Sequence, residues 1–238
     1  MSDAPRSPAK LGFYLTPEHE CPYLPERTAR TAFADPTASP GLRAQTVLAE
    51  AGFRRSGGIL YRPNCPSCNA CVPLRLAVDA FQPNRTQRKI VARNADLVAT
   101  RVALTPTPEH LELFTRYQQE RHPEGAMFAE DTERYLAYFA SGFSATQAVE
   151  LRLEGRLVAV MVIDQLLDAL SAVYTYFDPA LGARSLGTYS VLWQVEETRR
   201  LKLRWLYLGY LIEETRKMAY KAAFQPQQRL IGGAWREA

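Results

Sequence analysis

Apolar and polar positions alternate differently in the two halves of this 238-residue chain. Over 13–81 there is little helical periodicity, with one exception. Leu42, Val47, Leu48 and Ala51 fall on one helical face and Gly52 follows as a stop, which predicts a helix over 42–51. Gly57-Gly58 reads as a turn into a strand at Ile59-Leu60-Tyr61-Arg62. Leu74-Arg75-Leu76-Ala77-Val78 alternates as a half-buried strand does. From Thr105 the pattern becomes regular. Thr107-Pro108-Glu109 supplies a cap, a first-turn proline and an early acid for a helix running to about Arg121. Asp131 caps a second helix that stops near Gly142. Apolar runs at 148–153 and 157–163 flank Glu154-Gly155, a hairpin turn. A third strand covers 169–177 and ends at Asp178-Pro179. Ser185-Leu186-Gly187-Thr188-Tyr189 leads into a helix over 189–201, and 205–210 is a strand again.

This order of elements predicts an α/β (α+β) protein. A small Cys-rich region over 1–100 precedes an acetyltransferase-like (GNAT-like) domain over 101–238. In such a domain the helix after the central strands offers free backbone N–H groups to a phosphate or a carbonyl oxygen. Here that is the stretch from Ser185 to Tyr189, read either so or as a plain loop-to-helix start.

Composition changes the picture little. Hydrophobic residues make up 47% and charged residues 23%, an ordinary globular balance that allows a sizeable core. The net charge of +4 is mild but clustered. Arg43, Arg54, Arg55, Arg62, Arg75, Arg85, Arg88, Lys89 and Arg93 are offset in their stretch only by Glu50 and Asp79. A second run holds Arg199, Arg200, Lys202, Arg204, Arg216, Lys217 and Lys221. Both runs read either as phosphate contacts or as solvated basic faces. No apolar stretch approaches the roughly 18–20 residues of a membrane span. Residues 1–10 are a polar lead without an apolar signal core. The expectation is a cytoplasmic protein with no membrane partner and reduced cysteines.

The most specific local feature is Cys65-Pro66-Ser67-Cys68-Asn69-Ala70-Cys71. Thiols at this spacing converge on one point, which suits a metal better than a disulfide framework. With Cys21 they make a candidate four-ligand site for zinc or an iron–sulfur cluster. The alternative is a thiol-rich fold nucleus with oxidation-sensitive groups. The flanking Arg62 and Arg75 suggest an anionic partner, nucleic acid first.

Longer motifs then carry a resemblance. They are Cys21-Pro22-Tyr23-Leu24-Pro25-Glu26-Arg27, Gly52-Phe53-Arg54-Arg55-Ser56-Gly57, Tyr61-Arg62-Pro63 through the cysteines to Pro73-Leu74-Arg75, and Gln87-Arg88-Lys89. Further on come Arg121-His122, Phe177-Asp178-Pro179, Ser185-Leu186-Gly187-Thr188-Tyr189, Tyr207-Leu208-Gly209-Tyr210 and Lys217-Met218-Ala219-Tyr220-Lys221. In this order they closely resemble the aminoacyl-tRNA–protein transferases, and the compact length resembles the bacterial aspartate/glutamate leucyltransferase branch. The resemblance implies transfer of leucine from leucyl-tRNA to the α-amino group of proteins beginning with Asp or Glu, a mark for N-degron degradation. Arginyl-tRNA–protein transferases are the alternative within the family. Those relatives are linked to an iron–sulfur cluster, but this chain has Leu24 where they carry a second cysteine, and a spaced triplet where they carry an adjacent pair.

The implied reaction is aminolysis of an activated ester, which needs positioning and oxyanion donors more than a strong base or a cofactor. Gly187 and Thr188 are the candidates for cradling the aminoacyl-adenosine end, and His122 for a direct catalytic role or a structural hydrogen bond. Arg62, Arg75 and Arg88 are the candidates for gripping the acceptor carboxylate. Lys217 and Lys221 stand for phosphate contact, and Tyr207, Tyr210 and Tyr220 for stacking a terminal adenine or for core packing. Two other readings compete: an acetyl-CoA-dependent N-acyltransferase, and a non-enzymatic RNA-binding module on a zinc knuckle.

Overall fold

The computed structural model describes residues 11–123 and 131–238, so the polar lead over 1–10 lies outside the described residues. The chain opens with short strands β1 (Phe13–Leu15), β2 (His19–Glu20), β3 (Thr28–Ala29) and β4 (Thr31–Ala34), then helix α1 (Leu42–Glu50). The predicted stop is real. Gly52 takes a φ of +88°, and Phe53 N–H closes the helix end on the Leu48 carbonyl at 2.9 Å. The hairpin β5 (Arg54–Ser56) and β6 (Ile59–Pro63) turns at Gly57, φ +53°. Strands β1, β4, β6 and β5 form a four-stranded sheet in that order.

Next come β7 (Val72–Ala77), helix α2 (Arg85–Arg93), β8 (Val98–Ala103) and helices α3 (Pro108–Arg121) and α4 (Thr132–Phe139). Strands β9 (Thr146–Leu153), β10 (Arg156–Gln165) and β11 (Ala169–Phe177) lead to helix α5 (Leu186–Arg200), β12 (Trp205–Leu211), the short α6 (Arg216–Ala219) and the hairpin β13 (Gln228–Ile231) and β14 (Ala234–Glu237). One sheet of eight strands runs β14-β13-β7-β12-β11-β10-β9-β8. Its β8–β12 portion is antiparallel except for the parallel pair β11–β12. That strand pattern, with two helices before β9 and one between β11 and β12, is the acetyltransferase-like arrangement expected.

The two faces of this sheet carry separate cores. Ala159, Met161 and Ile163 of β10 face the cluster that includes α5, while Val160 and Val162 face α3 and α4. A register shift between Leu157 and Ala159 places Val158 on the α5 side together with Ala159. Asp131 caps α4 through the Arg134 N–H at 2.8 Å, and Glu154 and Gly155 both take positive φ in the β9–β10 turn.

Two expectations shift. The sheet crosses the boundary near residue 100: β7 pairs with β12, and Leu74, Leu76, Phe81 and Ile90 share one core with Val149 and Val195. Helix α5 begins at Leu186 and not at Tyr189, because a 3-10 turn over Pro179–Arg184 delivers the chain to Ser185 in a left-handed conformation. Helix α2, β8 and the β13–β14 hairpin had no prediction.

Hydrogen bonds tie the N-terminal elements to the large sheet and its loops. Gln45 of α1 donates to the Phe143 carbonyl at 2.7 Å. Arg55 of β5 meets Asp164 of β10 with Nε–Oδ2 at 2.6 Å and Nη2–Oδ1 at 2.9 Å. Among the described residues no helix is long and apolar enough to cross a membrane.

Candidate active site

Strands β11 and β12 pair only over Ala169–Ser171 and Trp205–Tyr207. Beyond that point β11 stays with β10 and β12 with β7, so the two diverge and leave an opening in the sheet. The end of α3 stands beside the free part of β11. Gln118 donates to Tyr174 Oη at 2.9 Å, and Tyr117 packs edge-on against Phe177 with ring centres 5.0 Å apart. His122 follows, 5.4 Å from the Tyr117 ring. Burial lowers the His122 pKa first, and the positive charges of Lys217 and Arg121 lower it further, so it stands neutral at physiological pH. Gly187 sits in the first turn of α5, where an added Cβ would lie 3.1 Å from Phe177 Cε1, so its hydrogen is what lets α5 approach β11. The Ser185 side chain makes no capping bond, so this helix start has no side-chain cap.

The candidate arginines separate. Arg75 on β7 is 7% exposed, with its Cζ 3.6 Å from the Trp205 ring centre and 4.3 Å from that of Trp235. It donates to Gln228 Oε1 at 3.0 Å and to Tyr207 Oη at 3.4 Å. Arg62 on β6 lies over Phe53 and donates to the Ala51 carbonyl. Arg88 is exposed on α2 and donates to the Pro83 carbonyl.

The tRNA candidates separate as well. Lys217 on α6 and Tyr220 after it remain accessible. Lys221 is 8% exposed, and its Nζ donates to the Tyr210 carbonyl at 2.8 Å, which removes it from phosphate contact. Burial first and Arg54 second lower its pKa to about 8. Tyr207 is 1% exposed, and Tyr210 is buried with its hydroxyl on the Gly52 carbonyl at 2.9 Å. Both are core tyrosines that offer no free face to a base.

The four cysteines are free thiols. Among the described residues no group of His, Cys, Asp and Glu stands placed to hold a metal ion, so the zinc or iron–sulfur ligand set is not assembled. Burial, then the neighbouring Cys21, Cys65 and Cys68, push the Cys71 pKa up to about 12. Cys68 is lowered by the Ala70 N–H and by Arg27, whose Nη1 lies 3.4 Å from its sulfur.

Comparison with known proteins decides the family. The N-terminal region of the arginine-tRNA-protein transferases matches residues 19–89, and their C-terminal region matches 109–231. A protein from Marinobacter nauticus named aspartate/glutamate leucyltransferase is 46% identical over 227 residues, 95% of this chain and 96% of that one. One of the same name from Thiobacillus denitrificans is 48% identical over 226 residues, 95% and 94% of the two chains. The chain belongs to the aspartate/glutamate leucyltransferases of this transferase family. Among solved structures, the C-terminal domain of a protein described as a lysylphosphatidylglycerol synthetase from Agrobacterium fabrum aligns with a TM-score of 0.51 and 15% identity, over 81% of this chain and 62% of that one. That likeness concerns the fold.

One residue of the transferase is expected from the sequence only as part of a basic run, as a phosphate contact or a solvated cation. Arg54, 6% exposed, lies with its Cζ 4.9 Å from the Tyr207 ring centre and 5.8 Å from that of Tyr210. The available signal was the Arg54-Arg55 pair itself: a strand sends successive side chains to opposite faces, so two adjacent arginines on a strand covered on both sides are both buried.

Proposed function

We propose that this transferase moves leucine from leucyl-tRNA onto the α-amino group of proteins that begin with Asp or Glu, a reading supported by relatives named aspartate/glutamate leucyltransferase, and so marks them for degradation in the cytoplasm. The attacking amine has an ordinary pKa of about 7.7–8.0, so a fair fraction is neutral near pH 7. Its nitrogen attacks the ester carbonyl carbon. The bond from that carbon to the ribose oxygen breaks, and the ribose hydroxyl regains a proton. The work left to the protein is placement and stabilisation of the oxyanion.

The observation that carries the geometry is the splay of β11 from β12 beside the uncapped start of α5. Backbone N–H groups at Gly187 and Thr188 are aimed along the helix start, where developing negative charge is favoured. His122 and Lys217 flank the same opening, His122 as a neutral hydrogen-bonding group and Lys217 as a phosphate contact. Tyr220 is the accessible stacking face for the terminal adenine. Arg75, stiffened between two tryptophans, and Arg62 add positive potential that favours an acidic acceptor.

The deciding experiment offers labelled leucyl-tRNA and arginyl-tRNA, side by side, to peptides starting with Asp, Glu and Asn. Leucine on the Asp and Glu peptides alone is the expected result. Preference for arginine, or equal labelling of the Asn peptide, overturns the reading. Lys217→Ala weakens tRNA binding and reduces its salt slope by about one unit.

A further inference from the structure

Arg54 and Arg55 are adjacent on β5 and equally buried, yet their guanidinium groups end differently. In Arg55 the Nε and Nη2 edge holds both oxygens of Asp164. In Arg54 the same two nitrogens are buried and meet no acceptor. Only its Nη1 is engaged, with the Ala49 carbonyl at 3.2 Å and the Phe53 carbonyl at 2.6 Å. One arm is therefore fixed and the two-nitrogen edge is unpartnered. Tyr207 and Tyr210 cover the group with their rings, and Arg75 and Lys221 are buried cationic neighbours. No ion pair is formed by Arg54, Arg75 or Lys221 among the described residues. Three buried cations without an anion are costly to keep, and they create a strong positive potential in a small space.

We infer that the Nε–Nη2 edge of Arg54 is the specificity subsite for the side-chain carboxylate of the acceptor's first residue. This rests on the proposed leucine transfer and names the residue that enforces its acidic preference. The side edge of a guanidinium matches the two oxygens of a carboxylate, as Asp164 shows within this molecule. A side-chain carboxylate on a stem of one or two methylenes ends free, whereas a backbone phosphate of tRNA is tied to the chain on both sides. Arg75 and Lys221 hold the potential around the edge, and the tyrosine rings set its width.

The test uses the full chain as wild type, Arg54→Gln and Arg54→Lys. At saturating leucyl-tRNA, kinetics are measured with Asp-start and Asn-start peptides, and leucyl-tRNA affinity is measured separately. Arg54→Gln is expected to raise the Asp-peptide KM by roughly 100-fold or more, because the loss falls on a buried charged contact. The Asp-over-Asn preference shrinks with it, and the leucyl-tRNA Kd moves by less than about twofold. Arg54→Lys keeps the charge without the edge and regains only part of the preference. A variant that keeps the wild-type Asp-over-Asn ratio overturns the assignment. So does one whose main defect is in tRNA affinity, which would make Arg54 a phosphate contact. Thermal denaturation supplies an arm independent of turnover: the Asp-start peptide should raise the wild-type Tm more than the Asn-start peptide, and equal shifts sink the idea even if Arg54→Gln fails to fold. A wild type that transfers no leucine to any peptide defeats the proposed reaction instead, and the Tm difference between wild type and Arg54→Lys then still decides whether an acidic start binds at Arg54.

Discussion

Two neighbouring arginines give the clearest contrast in this molecule. The Arg55 site is complete. Its Nε and Nη2 hold Asp164, its Nη1 donates to the Gly57 and Phe139 carbonyls, and Nη2 also reaches Thr146 Oγ1. Thr146 in turn donates to Asp164 at 2.6 Å. The Arg54 site is incomplete: its buried Nε and Nη2 meet no acceptor. A protein able to build the first site has the means to pair a buried guanidinium. Leaving the second unpaired sacrifices stability in a place where an incoming anion would restore it. The general lesson is that buried charges must be sorted by what completes them, and the ones completed from outside are the functional candidates.

The largest effect should come from breaking the complete site. Asp164→Ala strands Arg55 with a buried charge, and unfolding in denaturant should show a loss of about 3–5 kcal/mol. A change small enough to leave the midpoint untouched would mean that the pair is not what joins the two sheets. Next in size is Gly57→Ala. Gly57 takes a φ of +53°, and an added Cβ would stand 2.3 Å from the Ala137 carbonyl oxygen, so backbone must move and Arg55 loses its Gly57 contact. Strain of the left-handed position and overpacking together suggest about 2–4 kcal/mol, read as a fall in Tm.

His110 gives an intermediate case: a buried titratable group with a partner, but paired in its neutral form. Its Nδ1 accepts the Thr107 N–H at 2.9 Å, and Nε2 lies 3.1 Å from Glu150 Oε1 without the alignment of a hydrogen bond. Burial lowers its pKa, Glu150 and Glu109 oppose the change, and Arg152 reinforces it. The folded pKa thus lies below the unfolded value near 6.5, so the unfolded chain binds the extra proton first. Stability from this residue is present above pH 6.5 and is lost as pH falls through the folded pKa. Chemical denaturation between pH 7.5 and 5 should show a declining midpoint that flattens in His110→Gln. An unaltered slope in that variant would assign the decline to other groups.

Much of the fold was legible because the signals were local. Gly52, the Gly57 turn, the Asp131 cap and the Glu154-Gly155 turn all act within a few residues of themselves. Helix α2 escaped because Arg85–Arg93 is mostly polar, with Ile90 its buried apolar contact, although the Asn84–Gln87 capping box marks its start. Strand β8 and the β13–β14 hairpin escaped because they lie at the two edges of the large sheet, where one-sided pairing asks less of the sequence. The site was half legible. Motif residues such as Gly187, His122 and Lys217 sit at the splay, but burial is a tertiary property. No spacing rule reveals that Lys221 and Tyr207 are enclosed, or that Arg54 is the guanidinium whose edge meets nothing.

The smallest expected change in stability is also the sharpest for the comparison. Arg54→Met removes the Nη1 bonds to Ala49 and Phe53, each worth about 1 kcal/mol. It also removes an unpartnered buried charge whose desolvation opposes folding, and it leaves a flexible apolar side chain against Tyr207 and Tyr210. The two effects oppose one another, so the variant should unfold within about 1 kcal/mol of wild type. Removing Asp164 from the neighbouring arginine costs several times more, although both substitutions delete one buried charge beside the same strand. If Arg54→Met instead costs as much as Asp164→Ala, then Arg54 is completed within the folded chain, and the contrast between the two arginines disappears.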